Sequence, residues 1–265
     1  MAKITVQYIQ DLKNRDEKIS VLTAYDYSTA KYLDESGIEI ILVGDSLANV
    51  ALGYESTHEI GVDEMQIFVR AVAKGVQNAF VVGDMPFMSV NISQEKAMEN
   101  ITKMIKAGAN AVKIEGCSEH ILAVVRRCTE SGIPVMAHLG FTPQYINAIG
   151  GYKVQGKTDD TIEKILEQAR LLQDAGAFSI VLEMVPEDKA KYITENLSIP
   201  TIGIGAGRYC GGQVLVTDDL LGKFSDYKPK FVRRYADLAT VIKDAVTKYK
   251  EDVKLGTYPN DSEIF

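Results

Sequence analysis

Histidine and cysteine are scarce in this chain, with three of each in 265 residues. Cys117, Cys128 and Cys210 are scattered and odd in number. They outline neither a disulfide framework nor a zinc motif, which fits a reducing compartment. Basic charge is also short: 29 Lys and Arg stand against 36 Asp and Glu, a formal net charge of -7. With no basic block, nucleic-acid binding is set aside. No apolar run reaches the ~20 residues of a membrane span. The N-terminal MAKITVQYIQDLKNRDEK lacks the apolar core of a signal peptide. A soluble, cytoplasmic protein is the expectation. There is no low-complexity linker, so a single domain over residues 1–265 is expected. No G-x-G-x-x-G follows the first strand-like run, which counts against a dinucleotide-binding open sheet.

What the chain does contain is a repeated unit, a glycine followed by an apolar run. SGIEIILVGD (Ser36–Asp45) and KGVQNAFVVGD (Lys74–Asp84) are the first two copies. AGANAVKIEG follows from Ala107, SGIPVMAHLG from Ser131 and AGAFSIVLEMVP from Ala175. Gly37, Gly75, Gly108, Gly132 and Gly176 stand where a helix C-terminus favours a left-handed residue. The runs have strand length and are rich in Val and Ile. Helical patterns precede the glycines, as in DDTIEKILEQARLLQDA, where Ile162, Ile165, Leu166, Ala169 and Leu172 recur at three and four. Ser93, Ser118 and Asp159 are the predicted N-caps.

Eight strands are predicted: Ile19–Tyr25, Glu39–Val43, Phe80–Val82, Ala111–Ile114, Pro134–Ala137, Ser179–Leu182, Thr201–Ile204 and Gln213–Val216. Apolar strands alternating with helices imply a parallel sheet covered on both faces. Eight such units predict an α/β fold of the (β/α)8 TIM barrel type. VQYIQDLKN is predicted to cap the barrel bottom. VRRYADLATVIKDAVTKYKEDV reads as a closing helix and GTYPNDSEIF as a tail.

Barrel chemistry sits at the C-terminal ends of the strands. There this chain places Tyr25, Asp26, Asp45, Ser46, Asp84, Lys113, Glu115, His138 and Glu183. Lys113 and Glu115 are two apart, so they share one face of a strand. Buried carboxylates repel unless a cation joins them. Asp45, Asp84 and Glu115, from three neighbouring strands, therefore point to a metal, and hard oxygen ligands favour Mg2+ over zinc. Taken singly, any of these acids reads equally well as the N-cap of the next helix, and Lys113 as a counter-ion to Glu115. His58 and His120 read as solvated, and the three cysteines as inert. The loops LANVALGYESTHEIG and FTPQYINAIGGYKVQGKT are long enough to be lids or substrate walls. GIGAG, after strand seven, lies where barrels often bind phosphate, or lets a substrate approach the backbone.

These residues stand in blocks that resemble the 3-methyl-2-oxobutanoate hydroxymethyltransferase (ketopantoate hydroxymethyltransferase) family. The blocks are LTAYDYSTA, VGDSLANVALGYEST, VVGDMPFMS, AVKIEG, VMAHLGFTPQ, GGYKVQGKT, VLEMVP, IGIGAG and GQVLVTDDLLG, in order over nearly the whole chain. The resemblance implies a (β/α)8 barrel that moves a hydroxymethyl group from 5,10-methylenetetrahydrofolate to 3-methyl-2-oxobutanoate, giving 2-dehydropantoate. It implies Mg2+ on Asp45, Asp84 and Glu115. It implies keto-acid contacts from Asp45, Ser46, Asp84, Lys113 and His138, a proton acceptor at Glu183, and a homodecamer. The chain departs from the family pattern at Gly211, Cys117 and Phe68, none of them in the implied metal set. A Schiff-base aldolase using Lys113, or a metal-dependent lyase acting on another 2-oxo acid, is the alternative activity. A non-catalytic binding barrel is the alternative class.

Overall fold

The Val- and Ile-rich runs form the strands, and strand pairing closes the chain on itself. The computed structural model describes residues 3–223 and 228–265. Strands β1 (Ile19–Thr23), β2 (Ile40–Val43), β3 (Phe80–Asp84), β4 (Ala111–Glu115), β5 (Val135–Gly140), β6 (Ser179–Glu183), β7 (Thr201–Ile204) and β8 (Gly212–Leu215) pair in parallel in sequence order. β8 pairs back onto β1, so the sheet is a closed barrel.

Helix α1 (Val6–Asn14) precedes the sheet; α2 (Tyr27–Glu35), α3 (Leu47–Val50), α4 (Val62–Gly75), α5 (Gln94–Ala107), α6 (Glu119–Glu130), α7 (Ile146–Ile149), α8 (Asp159–Asp174) and α9 (Glu187–Glu195) lie in the crossovers. The repeat is not strict: residues 205–211 join β7 to β8 without a helix.

The helix signals mostly act as the sequence predicts. Ser93 accepts from Lys96 N and Ser118 from Ile121 N. The cap of α8 is Thr158 rather than Asp159. Asp159 takes the next position, where its charge faces the positive end of the helix. Gly37, Gly108, Gly132 and Gly176 have positive φ, but Gly75 is the last residue of α4 and does not. A Cβ on Gly75 would run into the carbonyl oxygen of Tyr27, in the first turn of α2. Its requirement is size, set by two helix backbones in close approach.

Alternation along the strands divides the core in two. Outward residues such as Ile41, Val81, Val112, Ala137 and Ile180 pack under the helices. Inward residues such as Val21, Ile40, Phe80, Met136 and Ile202 fill the barrel, joined by Ile9 and Leu12 of α1. The predicted cap is thus a plug, with two side chains buried in the barrel interior.

Contacts divide the chain into two compact units, Met1–Val216 and Thr217–Phe265. The second holds α10 (Thr217–Leu220) and α11 (Leu238–Leu255). The predicted closing helix therefore begins at Leu238, after an Asp237 cap that accepts from Thr240 N. No helix among the described residues is long and apolar enough to cross a membrane.

Candidate active site

The inner face of four adjacent strands changes character in a single step. Val82 is followed two residues later by Asp84, Ala111 by Lys113, Met136 by His138 and Val181 by Glu183. Strand register sets these groups side by side: Asp84 pairs with Lys113, Glu115 with His138 and Gly140 with Glu183. Asp45 and Ser46 follow β2 directly. All seven predicted site residues (Asp45, Ser46, Asp84, Lys113, Glu115, His138, Glu183) line one cavity of about 130 Å³. Thr23, Leu42, Val181, Ile204, Val214 and Val216 add a mainly apolar wall.

The cluster is buried and tightly paired. Asp45, Asp84, Lys113, Glu115 and His138 are each 5% exposed or less. Lys113 Nζ lies 2.8 Å from Asp84 Oδ2 and 3.6 Å from Glu115 Oε1. The backbone N–H of Asp45 donates to Asp84 Oδ2 at 3.1 Å. His138 Nδ1 is 3.2 Å from Glu115 Oε1. Its Nε2 is 3.3 Å from Glu183 Oε2, close enough to pair but off the line of a hydrogen bond. The Ser46 hydroxyl is 2.8 Å from that of Tyr25, which explains the buried phenol at the first strand end.

Burial, then the charge of Asp84, holds the Asp45 carboxyl well above its ordinary range. Burial also raises Asp84. Glu115 goes the other way: burial opposes its charge, but His138 and Lys113 hold it below the usual value. Burial disfavours charge on Lys113 too, yet Asp84, Glu115 and Asp45 keep it an ammonium, with its pKa raised. Burial works against His138 as well, but Glu115 outweighs it and the imidazole is pushed up to about 9. Burial raises both carboxyls even with Lys113 beside them, so the pair is short of positive charge. Asp84 Oδ1 is buried without a hydrogen-bond partner. This donor set fits a hard divalent cation. As the side chains stand, no three His, Cys, Asp or Glu groups among the described residues close around one metal-sized point. Asp45 and Asp84 adjoin, while Glu115 faces Lys113 and His138.

Glu183 is held by its backbone. Its carbonyl accepts from Phe141 N at 2.8 Å, and Met184 N donates to Ile204 O. Met184 has φ 49, left-handed for a non-glycine residue, a strained turn worth about 1–3 kcal/mol. Gln155 N donates to the Met184 carbonyl, so the long loop after β5 clamps the same turn.

Two histidines are not solvated as the sequence suggested. His58 stacks on Phe87 with ring centroids 4.1 Å apart and its Nε2 is 3.0 Å from the Gln144 carbonyl. His120 Nε2 lies 2.8 Å from the Val90 carbonyl. Burial pushes the Cys117 and Cys128 thiols up to about 11, which leaves them unreactive at neutral pH. Sequence reasoning gave Gln144 no role. It is buried, and its amide donates to Asp45 Oδ2 at 3.1 Å and to the Met85 carbonyl at 2.9 Å. The one signal that could have found it is its place in the TPQ block after a strand that ends in ionisable residues.

A closed (β/α)8 barrel with acids, an ammonium and an imidazole around one cavity at its C-terminal strand ends defines a barrel enzyme. Residues 3–261 match the model of the ketopantoate hydroxymethyltransferase family. The chain is 54% identical over 248 residues to the 3-methyl-2-oxobutanoate hydroxymethyltransferase of Kosmotoga olearia, covering 94% of this chain and 92% of that one. It is 53% identical over 262 residues to the enzyme of the same name from Thermotoga neapolitana, covering 99% and 96%. The chain belongs to the ketopantoate hydroxymethyltransferase family, and it is an enzyme of the transferase class. Its fold is also that of solved phosphonopyruvate hydrolase (TM-score 0.63, 13% identity, 99% of this chain and 93% of that chain). A solved 2,3-dimethylmalate lyase of the PEP mutase/isocitrate lyase superfamily shares it as well (TM-score 0.63, 14% identity, 98% and 91%).

Proposed function

We propose that this enzyme transfers a hydroxymethyl group from 5,10-methylenetetrahydrofolate to 3-methyl-2-oxobutanoate, giving 2-dehydropantoate, with Mg2+ held by Asp45, Asp84 and Glu115. The supporting observation is the convergence of seven ionisable or hydroxyl side chains on one small cavity, in a chain of this family. When bound, Mg2+ supplies positive charge to the keto oxygen and so acidifies the neighbouring C–H. Lys113 and the Ser46 hydroxyl, both on the cavity wall, bind the substrate carboxylate. Asp45, Asp84 and Glu115 would hold the cation beside it. Glu183, across the cavity, accepts the C3 proton, and a carboxylate held in a closed site suits that role. His138 orients Glu183 from 3.3 Å away. The carbon freed of its proton then bonds to the one-carbon unit; water supplies the hydroxyl oxygen, and the bond from that one-carbon unit to the folate nitrogen breaks, releasing tetrahydrofolate. By family resemblance, we place the enzyme in the cytoplasm as a homodecamer.

The Schiff-base alternative is disfavoured by the same geometry. A nucleophilic lysine needs a lowered pKa, and the carboxylates around Lys113 raise it. Borohydride with keto acid is expected to trap no adduct at Lys113. The decisive assay follows 2-dehydropantoate formation from the two substrates with and without Mg2+. Full activity in chelator-treated protein overturns the metal role, and no product under any condition overturns the reaction. For Glu183, exchange of the substrate C3 hydrogen with deuterated water is expected to drop in Glu183→Gln by about two to four orders of magnitude. Undiminished exchange removes it as the base.

A further inference from the structure

Gln144 lies in the turn Pro143–Tyr145, and it touches two of the three acids of the cluster, Asp45 and Glu115. The side-chain nitrogen faces two acceptors, Asp45 Oδ2 at 3.1 Å and the Met85 carbonyl at 2.9 Å. Both amide hydrogens are therefore spoken for, and the acceptors fix which end of the amide points inward. Its backbone N–H donates to Glu115 Oε2 at 3.1 Å. Its carbonyl takes the Nε2–H of His58 at 3.0 Å. One residue thus ties Asp45, the strand-three loop, Glu115 and the loop after β2.

We propose that Gln144 is the positioning residue of the acidic cluster, turning Asp45 so that its other oxygen is left to meet a divalent cation and fixing the orientation of Glu115. The inference rests on the metal reading above. A carboxylate turns freely about its last bond, and neighbouring carboxylates turn away from one another unless donors hold them. Lys113 and the Asp45 N–H hold Asp84 by Oδ2, which leaves Oδ1 open. Gln144 does the same for Asp45 through Oδ2, and it holds Glu115 by Oε2 while Oε1 faces His138 and Lys113. The chemistry requires a neutral double donor. A second cation would compete with the metal, and a fourth acid would deepen the repulsion. Asparagine is a methylene too short to span Asp45 and Met85 while its backbone N–H still reaches Glu115.

The test uses Mn2+ alone, followed by loss of the free-ion EPR signal, with no substrate and no turnover. Gln144→Met keeps the buried volume and removes both side-chain donors. It is expected to bind Mn2+ about 10–100-fold more weakly than wild type, the usual effect of losing a residue that orients a metal ligand. His58→Phe keeps the stack on Phe87 and loses only the bond to the Gln144 carbonyl. It is expected to weaken Mn2+ about threefold, the worth of one modest hydrogen bond, and it serves if Gln144→Met does not fold. Wild-type protein that takes up no Mn2+ overturns the metal reading and this inference together. Wild-type protein that binds Mn2+, beside folded variants that bind it equally well, overturns the role of Gln144 alone.

Discussion

Lys113→Met is the sharpest single perturbation of the site. The ammonium sits 2.8 Å from Asp84 and 3.6 Å from Glu115, with all three groups buried. Methionine fills a similar volume, so the change removes charge and leaves little cavity. Breaking a buried ion pair by removing one partner costs about 3–5 kcal/mol. The Asp45 and Asp84 carboxyls already stand above their ordinary value of 3.8, so one of them takes up a proton in response. That places the cost at the lower end, about 3 kcal/mol, or about 6–12 °C in unfolding temperature for a chain of this size. The pH dependence has a definite sign. A carboxyl whose folded pKa is raised contributes stability below its unfolded value, and that stability is lost as pH rises through the folded value. The Lys113→Met deficit should therefore shrink as pH is lowered from 7 toward 5. Added Mg2+ should restore more stability to the variant than to the parent, because the cation replaces the missing charge. The assay is thermal unfolding of metal-free protein at pH 7 and 5, then with millimolar Mg2+. A variant that unfolds within 2 °C of the parent, or a deficit that grows on acidification, refutes the reasoning.

Asp34 accepts from the backbone N–H groups of Gln77, Asn78 and Ala79. Burial opposes its charge, but these bonds hold its pKa below the ordinary 3.8. Its stabilisation is complete above about pH 3.8 and lost as pH falls through the lower folded value. Asp34→Asn should cost about 2 kcal/mol in urea unfolding at pH 7, with a smaller gap near pH 3; an unchanged gap there contradicts the account. In Gly75→Ala the new methyl meets the Tyr27 carbonyl. Overpacking of about 1–3 kcal/mol outweighs a helix-propensity gain of at most about 1 kcal/mol, so the variant should be less stable, and a stabilised one would show that α2 and α4 can part. Asp84→Ala should lose Mn2+ binding and activity together, since Asp84 Oδ1 is the one buried carboxylate oxygen among the described residues without a hydrogen-bond partner; retained binding would point to a different ligand set.

The barrel was legible because its information is local. Glycine, an apolar run and an amphipathic helix repeat within short windows, and the ionisable residue closing each run can be read by position alone. The strand ends differ from the reading by a few residues, and the difference matters: Asp84, Glu115, His138 and Glu183 lie within their strands, so register pins them. Where the reading failed, the cause was a contact distant in sequence. Nothing near Gln144 announces a bond to Asp45, 99 positions away, and nothing near His58 announces Gln144. Gly75 looks like the other helix-ending glycines; only the crossing of α2 over α4 shows that it serves a different purpose. The helix-free step from β7 to β8 broke a periodicity that six other crossovers keep.

Inward strand side chains fill the lower barrel and Ile9 and Leu12 pack beneath them, which makes it a cup rather than a tube. Whatever reaches the cavity, water and exchanged protons included, crosses the same rim, the one that carries the loops before α4 and before α8. Under the proposed reaction the keto acid sits at the floor of the cup, beside Lys113. The route of traffic is thus limited by side chains at the end of the barrel farthest from the chemistry.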